Sequence, residues 1–172
     1  RYVYGLPAYN LLHEEVQFSV PHQSNPNTTR VVTGTGGAGD PSYSHANTDK
    51  YLKRTEISRY AHSYLLTAIV GPDYVDLTND GVTPDDLGYW VKFTYKKTTD
   101  DYKWRDPFRQ AHLQEGWRHD YRDDKGAFTY GKKQLFYLTR AETKSHIAEF
   151  EMSERSDARG VLSKLQDTNG LG

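Results

Sequence analysis

Carboxylates crowd one short stretch of this sequence. It reads Asp76-Leu77-Thr78-Asn79-Asp80-Gly81-Val82-Thr83-Pro84-Asp85-Asp86-Leu87-Gly88. Oxygen donors alternate at Asp76, Thr78 and Asp80, and Gly81 then permits a sharp turn. This is the front half of a calcium loop of the EF-hand type, where the first, third and fifth positions supply ligands and the sixth is Gly. The Val82 carbonyl is a further ligand in that scheme. The back half departs from it, with Pro84 at the ninth position and Leu87, not Glu, at the twelfth. Asp85 and Asp86 stand near enough to complete the shell. Like charges on one loop repel each other without a cation, which favours a hard one. The spacing therefore points to Ca2+ on Asp76, Thr78, Asp80, Val82, Asp85 and Asp86. A solvated Asn/Asp/Gly turn between two strands explains the same composition, and both readings stand.

Other chemistry is more thinly spread. His112 and His119 would share a face on a continued helix, but Gly116 lies between them and no third ligand is evident. Glu142 and Glu149 are placed to pair across a hairpin as acid and base; solvated strand faces account for them equally. Gly34-Thr-Gly36-Gly-Ala-Gly39 spells a dinucleotide fingerprint, yet Asp40-Pro41 follows where a helix should continue, so the stretch reads as a loop. Asn27-Thr-Thr29 is a formal glycosylation sequon, a sign of exposure. There is no Gly-x-Ser-x-Gly, phosphate loop or His-Glu-x-x-His, and an enzyme is not expected. Trp90, Trp104 and Trp117 are candidates for stacking on sugars. Trp90 leads because alternation points it away from Val91, Phe93 and Tyr95; packing beneath a loop is its other reading.

The elements around these residues are strands. Tyr64–Val70 is a short apolar run closed by Gly71-Pro72. Val91, Phe93 and Tyr95 alternate with Lys92, Thr94 and Lys96, the period of a half-buried strand. The acidic stretch joins the two. The pattern recurs: Phe136-Tyr-Leu138-Thr139 matches Tyr64-Leu-Leu66-Thr67, and Ala148-Glu-Phe150-Glu-Met152 matches Val91-Lys-Phe93-Thr-Tyr95. We read one hairpin unit used twice, about Tyr64 to Lys97 and Leu135 to Ser153. Both should pair into one antiparallel sheet with Val91, Phe93, Ala148 and Phe150 on its buried face. At the start, Tyr2-Val-Tyr4 opens a strand that Gly5 and Pro7 stop. A second, Glu15–Val20, carries Val16, Phe18 and Val20 on one face. Residues 22–50 form a long polar loop. Lys50–His62 fits a short helix or an irregular approach. Thr98-Thr-Asp-Asp reads as a turn. Asp106-Pro107 begins a helix to about Glu115, with Phe108, Ala111 and His112 on one face. Phe128–Tyr130 is a short strand, and 160–172 a flexible tail.

The 172 residues suit a single β-rich domain, or a fragment of a larger repeat protein. Hydrophobic content is only 35%, so a core must draw on the aromatic 13%, chiefly tyrosine. A formal charge of −1 gives no field for nucleic acid. No run approaches the ~20 apolar residues of a membrane span. Zero Cys excludes disulfides and thiolate zinc sites.

The second copy, from Tyr137-Leu-Thr-Arg-Ala-Glu-Thr through Ala148-Glu-Phe-Glu-Met to Ser153-Glu-Arg155-Ser-Asp157, resembles the strand pairs of Rhs/YD-repeat proteins. The opening Arg1-Tyr-Val-Tyr-Gly-Leu-Pro-Ala-Tyr-Asn10 and the phrase Tyr74-Val-Asp-Leu-Thr-Asn-Asp-Gly resemble segments of very large exported Bacteroidetes proteins with Rhs-like repeats. The resemblance spans most of the chain outside the polar loop and tail. It implies an all-β fold of repeated antiparallel hairpins, and a scaffold rather than a catalyst. It implies a secreted or cell-surface setting, with other segments of the same polypeptide or surface proteins as partners. In that setting Arg155 and Asp157 fill a turn; the calcium read independently from the acidic loop would rigidify the hairpin insertion. A carbohydrate-binding module using exposed aromatics, with glycans as partners, is the alternative.

Overall fold

The computed structural model describes residues 1–20, 31–32, 52–114, 124–153, 157 and 160–164. The sequon, the glycine-rich stretch, Trp117, His119, Arg155 and most of the 22–50 loop lie outside them. Among the described residues the chain is all-β and antiparallel, without a helix. Its strands are β1 (Tyr2–Ser19), β2 (Val31–Val32), β3 (Leu52–Ile57), β4 (Tyr60–Val70), β5 (Trp90–Asp106), β6 (Ala111–Gln114), β7 (Lys125–Glu142) and β8 (Ile147–Glu149). They follow the order β2-β6-β7-β5-β4-β1-β3, with β8 on β7 and a further pairing of β7 with β1.

Contacts divide the chain into two compact units. Unit 1 is Arg1–Asn10, Tyr60–Asp101 and Lys133–Arg155; unit 2 is Leu11–Arg59, Tyr102–Lys132 and Ser156–Gly172. The long strands β1, β5 and β7 supply residues to both.

Unit 1 holds the two expected hairpins. In the first, Ala68, Ile69 and Val70 pair with Lys92, Val91 and Trp90. In the second, Arg140, Ala141 and Glu142 pair with Glu149, Ala148 and Ile147. The second turn is closed by Thr143, whose N–H donates to the His146 carbonyl at 2.8 Å. β7 neighbours β5, so both hairpins do share one sheet. The expected buried face is not realised. Val91 and Phe93 are half-buried, while Ala148 and Phe150 are exposed, Phe150 by 47%. The physical reason is length: β8 is only three residues long, against the 17 of β5. β1 also departs from expectation by running straight through Gly5 and Pro7. Register shifts at Val3/Tyr4, Tyr4/Leu6 and Ala8/Tyr9 absorb them, with Pro7 opposite Tyr64.

Unit 2 holds the main apolar cluster. Val16, Phe18 and Val20 bury together, as their alternation requires, with Ala111, Leu113, Phe128, Tyr130 and Val161. The Phe18 and Phe128 rings meet edge to face at 6.5 Å between centroids. The helix expected from Pro107 is replaced by bends over 107–110 and then β6. Gln110 takes a positive φ of 59°, which breaks helical continuity. Ala111 and Leu113 are buried while His112 and Gln114 are exposed, a period of two rather than 3.6. β6 pairs with β7 through Leu113 opposite Gly126. Lys50–His62, undecided in sequence, supplies β3 and the start of β4. Thr98–Asp101 and Phe128–Tyr130 are absorbed into β5 and β7. Part of the expected tail is packed. Val161 is buried, its N–H donating to the Lys103 carbonyl at 3.0 Å.

Candidate functional site

The acidic insertion of unit 1 folds around one carboxylate. Asp86 is completely buried. Its Oδ2 accepts the Tyr74 hydroxyl at 2.8 Å and the Thr83 N–H at 2.9 Å, and its Oδ1 accepts the Leu77 N–H at 3.1 Å. Burial by itself raises the Asp86 carboxyl. The donors outweigh it, first the Thr83 N–H, then Tyr74 and Leu77, and hold the group below its ordinary value. The Tyr74 hydroxyl is pushed up to about 12, by desolvation first and then by the bond to Asp86 and the charges of Asp86, Asp76 and Asp80. Val75 and Leu87 exchange two backbone hydrogen bonds at 3.0 Å, so the loop carries its own bridge. Gly88, at φ +79°, passes so close to Asp73 that a Cβ would lie 2.1 Å from the Asp73 carbonyl oxygen.

The six residues expected to bind calcium are divided among other bonds. Asp76 accepts the N–H groups of Asn79 at 2.6 Å and Gly81 at 3.1 Å, an Asx-type turn. Thr78 donates to Asp80 and Thr83 to Asp85, both at 2.6 Å. The Val82 carbonyl accepts the Lys92 ammonium at 2.7 Å. Gly81 does take the expected turn conformation, at φ +90°. Among the described residues no three His, Asp or Glu side chains are grouped to hold a metal ion.

The other sequence candidates are placed as follows. Glu142 and Glu149 do converge, but on Arg140, whose guanidinium reaches them at 3.1 and 3.8 Å. The three form an ion-paired triad on the second hairpin. His112 faces Asp106 at 3.3 Å. Trp90 is 1% exposed and offers no platform for a sugar. Trp104 is half-buried, its indole filling the space where Gly131 lacks a side chain and meeting the His13 ring edge-on at 5.5 Å.

Sequence reasoning missed an open cleft of about 370 Å³ in unit 2. It is bounded by the β1–β3 ladder, where Glu15 faces Thr55 and Gln17 faces Lys53, and by β6 and β7. Gln17 Nε2 donates to Gln114 Oε1 at 2.5 Å across it. On the opposite face of β1 from Glu15 and Gln17, the buried Glu14 carboxylate is ion-paired to Arg54 and Lys164. The only signal of the cleft in the sequence is polar alternation along Glu15–Val20 and Ala111–Gln114.

The chain matches no protein-family model, no curated protein and no solved structure.

Proposed function

We propose that this chain is a structural, interaction-bearing segment of a large exported or cell-surface polypeptide of the Rhs-like kind. In this reading unit 1 packs against another β-segment of the same polypeptide. One observation carries it. Among the described residues, twelve of the fifteen exposed large hydrophobic side chains belong to unit 1. They include Tyr2 and Tyr4 on β1, Tyr64 on β4, Val75 and Leu87 on the insertion, and Phe150 beyond β8. Isolated surface apolar residues need no explanation, but so uneven a distribution does. The all-β architecture supports the same reading, because the resemblance implies stacked antiparallel hairpins. Among the described residues no helix is long and apolar enough to cross a membrane. The test is chemical labelling of tyrosine rings in the chain alone and within its parent polypeptide. Tyr2, Tyr4 and Tyr64 should react in the first and be protected in the second; equal reactivity would overturn the proposal.

Calcium at the insertion belongs to this proposal as a rigidifying ion. Carboxylate oxygens of Asp76 and Asp80 that accept the bonds described above keep further lone pairs for an ion. Saccharide binding is the second reading, favoured by the polar cleft of unit 2.

A further inference from the structure

We infer that the cleft of unit 2 is a binding site for a short neutral saccharide. The inference rests on the saccharide reading and not on the scaffold one, so the two fail independently.

The argument begins with strand periodicity. Val16 and Phe18 point into the core, so Glu15 and Gln17 between them point to the opposite face. Directly opposed residues of a ladder share a face, which adds Thr55 and Lys53 to the same row. On β6, Ala111 and Leu113 are buried, which sends His112 and Gln114 outward. On β7, Phe128 and Tyr130 are buried, which sends Ala127 and Thr129 outward. Two polar rows thus face the same opening, each backed by an apolar core that fixes its strand.

The chemistry of the rows selects the ligand. A cleft of about 370 Å³ is at the small end of ligand sites, and such sites are usually lined by apolar side chains. This one presents carboxylate acceptors at Glu15 and Asp106, an ammonium donor at Lys53, amides at Gln17 and Gln114, and hydroxyls at Thr55 and Thr129. A ligand here is held by hydrogen bonds of both senses. Two carboxylates beside one lysine repel a phosphate, and the lysine opposes a polycation. Vicinal hydroxyls, each both donor and acceptor, match planar carboxylate and amide groups. Ala127, outward between the two buried neighbours Gly126 and Phe128, adds a small apolar contact at the lining. Two contacts orient polar groups towards a ligand. Gln17 holds Gln114 by its Oε1, leaving the Gln114 Nε2 protons for a ligand. Asp106 holds the His112 ring by Nε2, leaving Nδ1.

The test is an amide-resolved nuclear magnetic resonance titration of the whole chain with cellobiose, maltose, lactose and chitobiose at millimolar concentrations. At least one disaccharide should shift amides around Glu15, Gln17, Lys53, His112 and Gln114 together. Gln114→Ala and Asp106→Asn should each weaken that binding about three- to tenfold while leaving the remaining spectrum unchanged. Both residues lie outside the core, and either variant suffices if the other is poorly folded. No shift with any of the four sugars would overturn the inference. So would shifts confined to the tyrosines of unit 1, unaltered affinity in both variants, or tighter binding of inorganic phosphate than of any sugar.

Discussion

Among the described residues, unit 2 gathers large apolar side chains into one buried cluster, whereas unit 1 displays twelve of the fifteen exposed ones. Unit 2 interlocks Val16, Phe18, Leu113, Phe128 and Val161 in one cluster. Among the described residues, the buried apolar side chains of unit 1 are Ala8, Ala68, Val70 and Trp90, two of them alanines. The same three long strands feed both units, so strand continuity does not decide where a core forms. Side-chain volume on the inward face does. Unit 2 is held by dispersion and apolar burial. Unit 1 relies more on backbone ladders and on side-chain hydrogen bonds such as those to Asp86, from the Asn10 amide to the Tyr60 hydroxyl at 2.6 Å, and from Tyr95 to the Leu66 carbonyl at 2.9 Å.

That contrast is open to attack by mutation. Phe18→Ala should cost about 3–5 kcal/mol, as deletion of a fully buried ring does. Phe150→Ala in unit 1 should stay within about 0.5 kcal/mol. Denaturant unfolding of the two variants gives the comparison, and equal losses would abolish it. Next in size is Gly88→Ala, which places a methyl against the Asp73 carbonyl at positive φ and should cost more than about 1 kcal/mol. Hydrogen exchange should locate that damage in the insertion and spare the amides of Phe18 and Phe128.

Asp86→Asn should raise exchange at the Leu77 and Thr83 amides with a smaller effect on global unfolding. The wild-type insertion should also respond to pH at both ends. The Asp86 carboxyl is depressed in the folded state, so its contribution is present above the ordinary value of 3.8 and is lost as pH falls through the lower folded value. The Tyr74 hydroxyl is raised, so its contribution is present below 10.0 and is lost as pH rises towards about 12. Resonances of Tyr74 and Leu77 should report both transitions, and Asp86→Asn should remove the acid one. The smallest expected effect is that of calcium. If the ion binds, millimolar calcium should raise the melting temperature, and Asp80→Ala should remove the rise. No heat on calorimetric titration would leave the insertion as an internally bonded turn.

Sequence legibility followed the range of the interactions. The alternation of Val16, Phe18 and Val20 was readable because each residue reports on its own face. The two hairpins of unit 1 were readable for the same reason. The helix expected at Asp106-Pro107 rested on local capping chemistry, while β6 is fixed by pairing with Gly126 and its neighbours on another strand. Gly5 and Pro7 looked like stops because the bulges that accommodate them exist only against β4. Composition marked the acidic insertion as special. It did not reveal that Asp86 alone is buried, because its donors at Tyr74, Leu77 and Thr83 are gathered by the path of the loop. The cleft was hidden because Glu15 and His112 are almost a hundred positions apart. Val161 looked like part of a tail because the apolar pair Val161-Leu162 is too short to show a period.

The ends of the insertion carry a further meaning. Gly71 donates to the Tyr89 carbonyl at 2.8 Å, and the residues just before and after, Val70 and Trp90, are direct ladder partners. Apart from the Lys92 ammonium on the Val82 carbonyl, the segment between them makes its bridge, its Asx-type turn and its Asp86 bonds within itself. Such a segment is a cassette. β4 and β5 already stand at the spacing that a two-residue turn spans, so the cassette can be excised without moving the strands, or exchanged for another closed loop of different length at little cost in chain entropy. Variation in this protein can therefore accumulate between Gly71 and Tyr89 while the hairpin beneath stays the same.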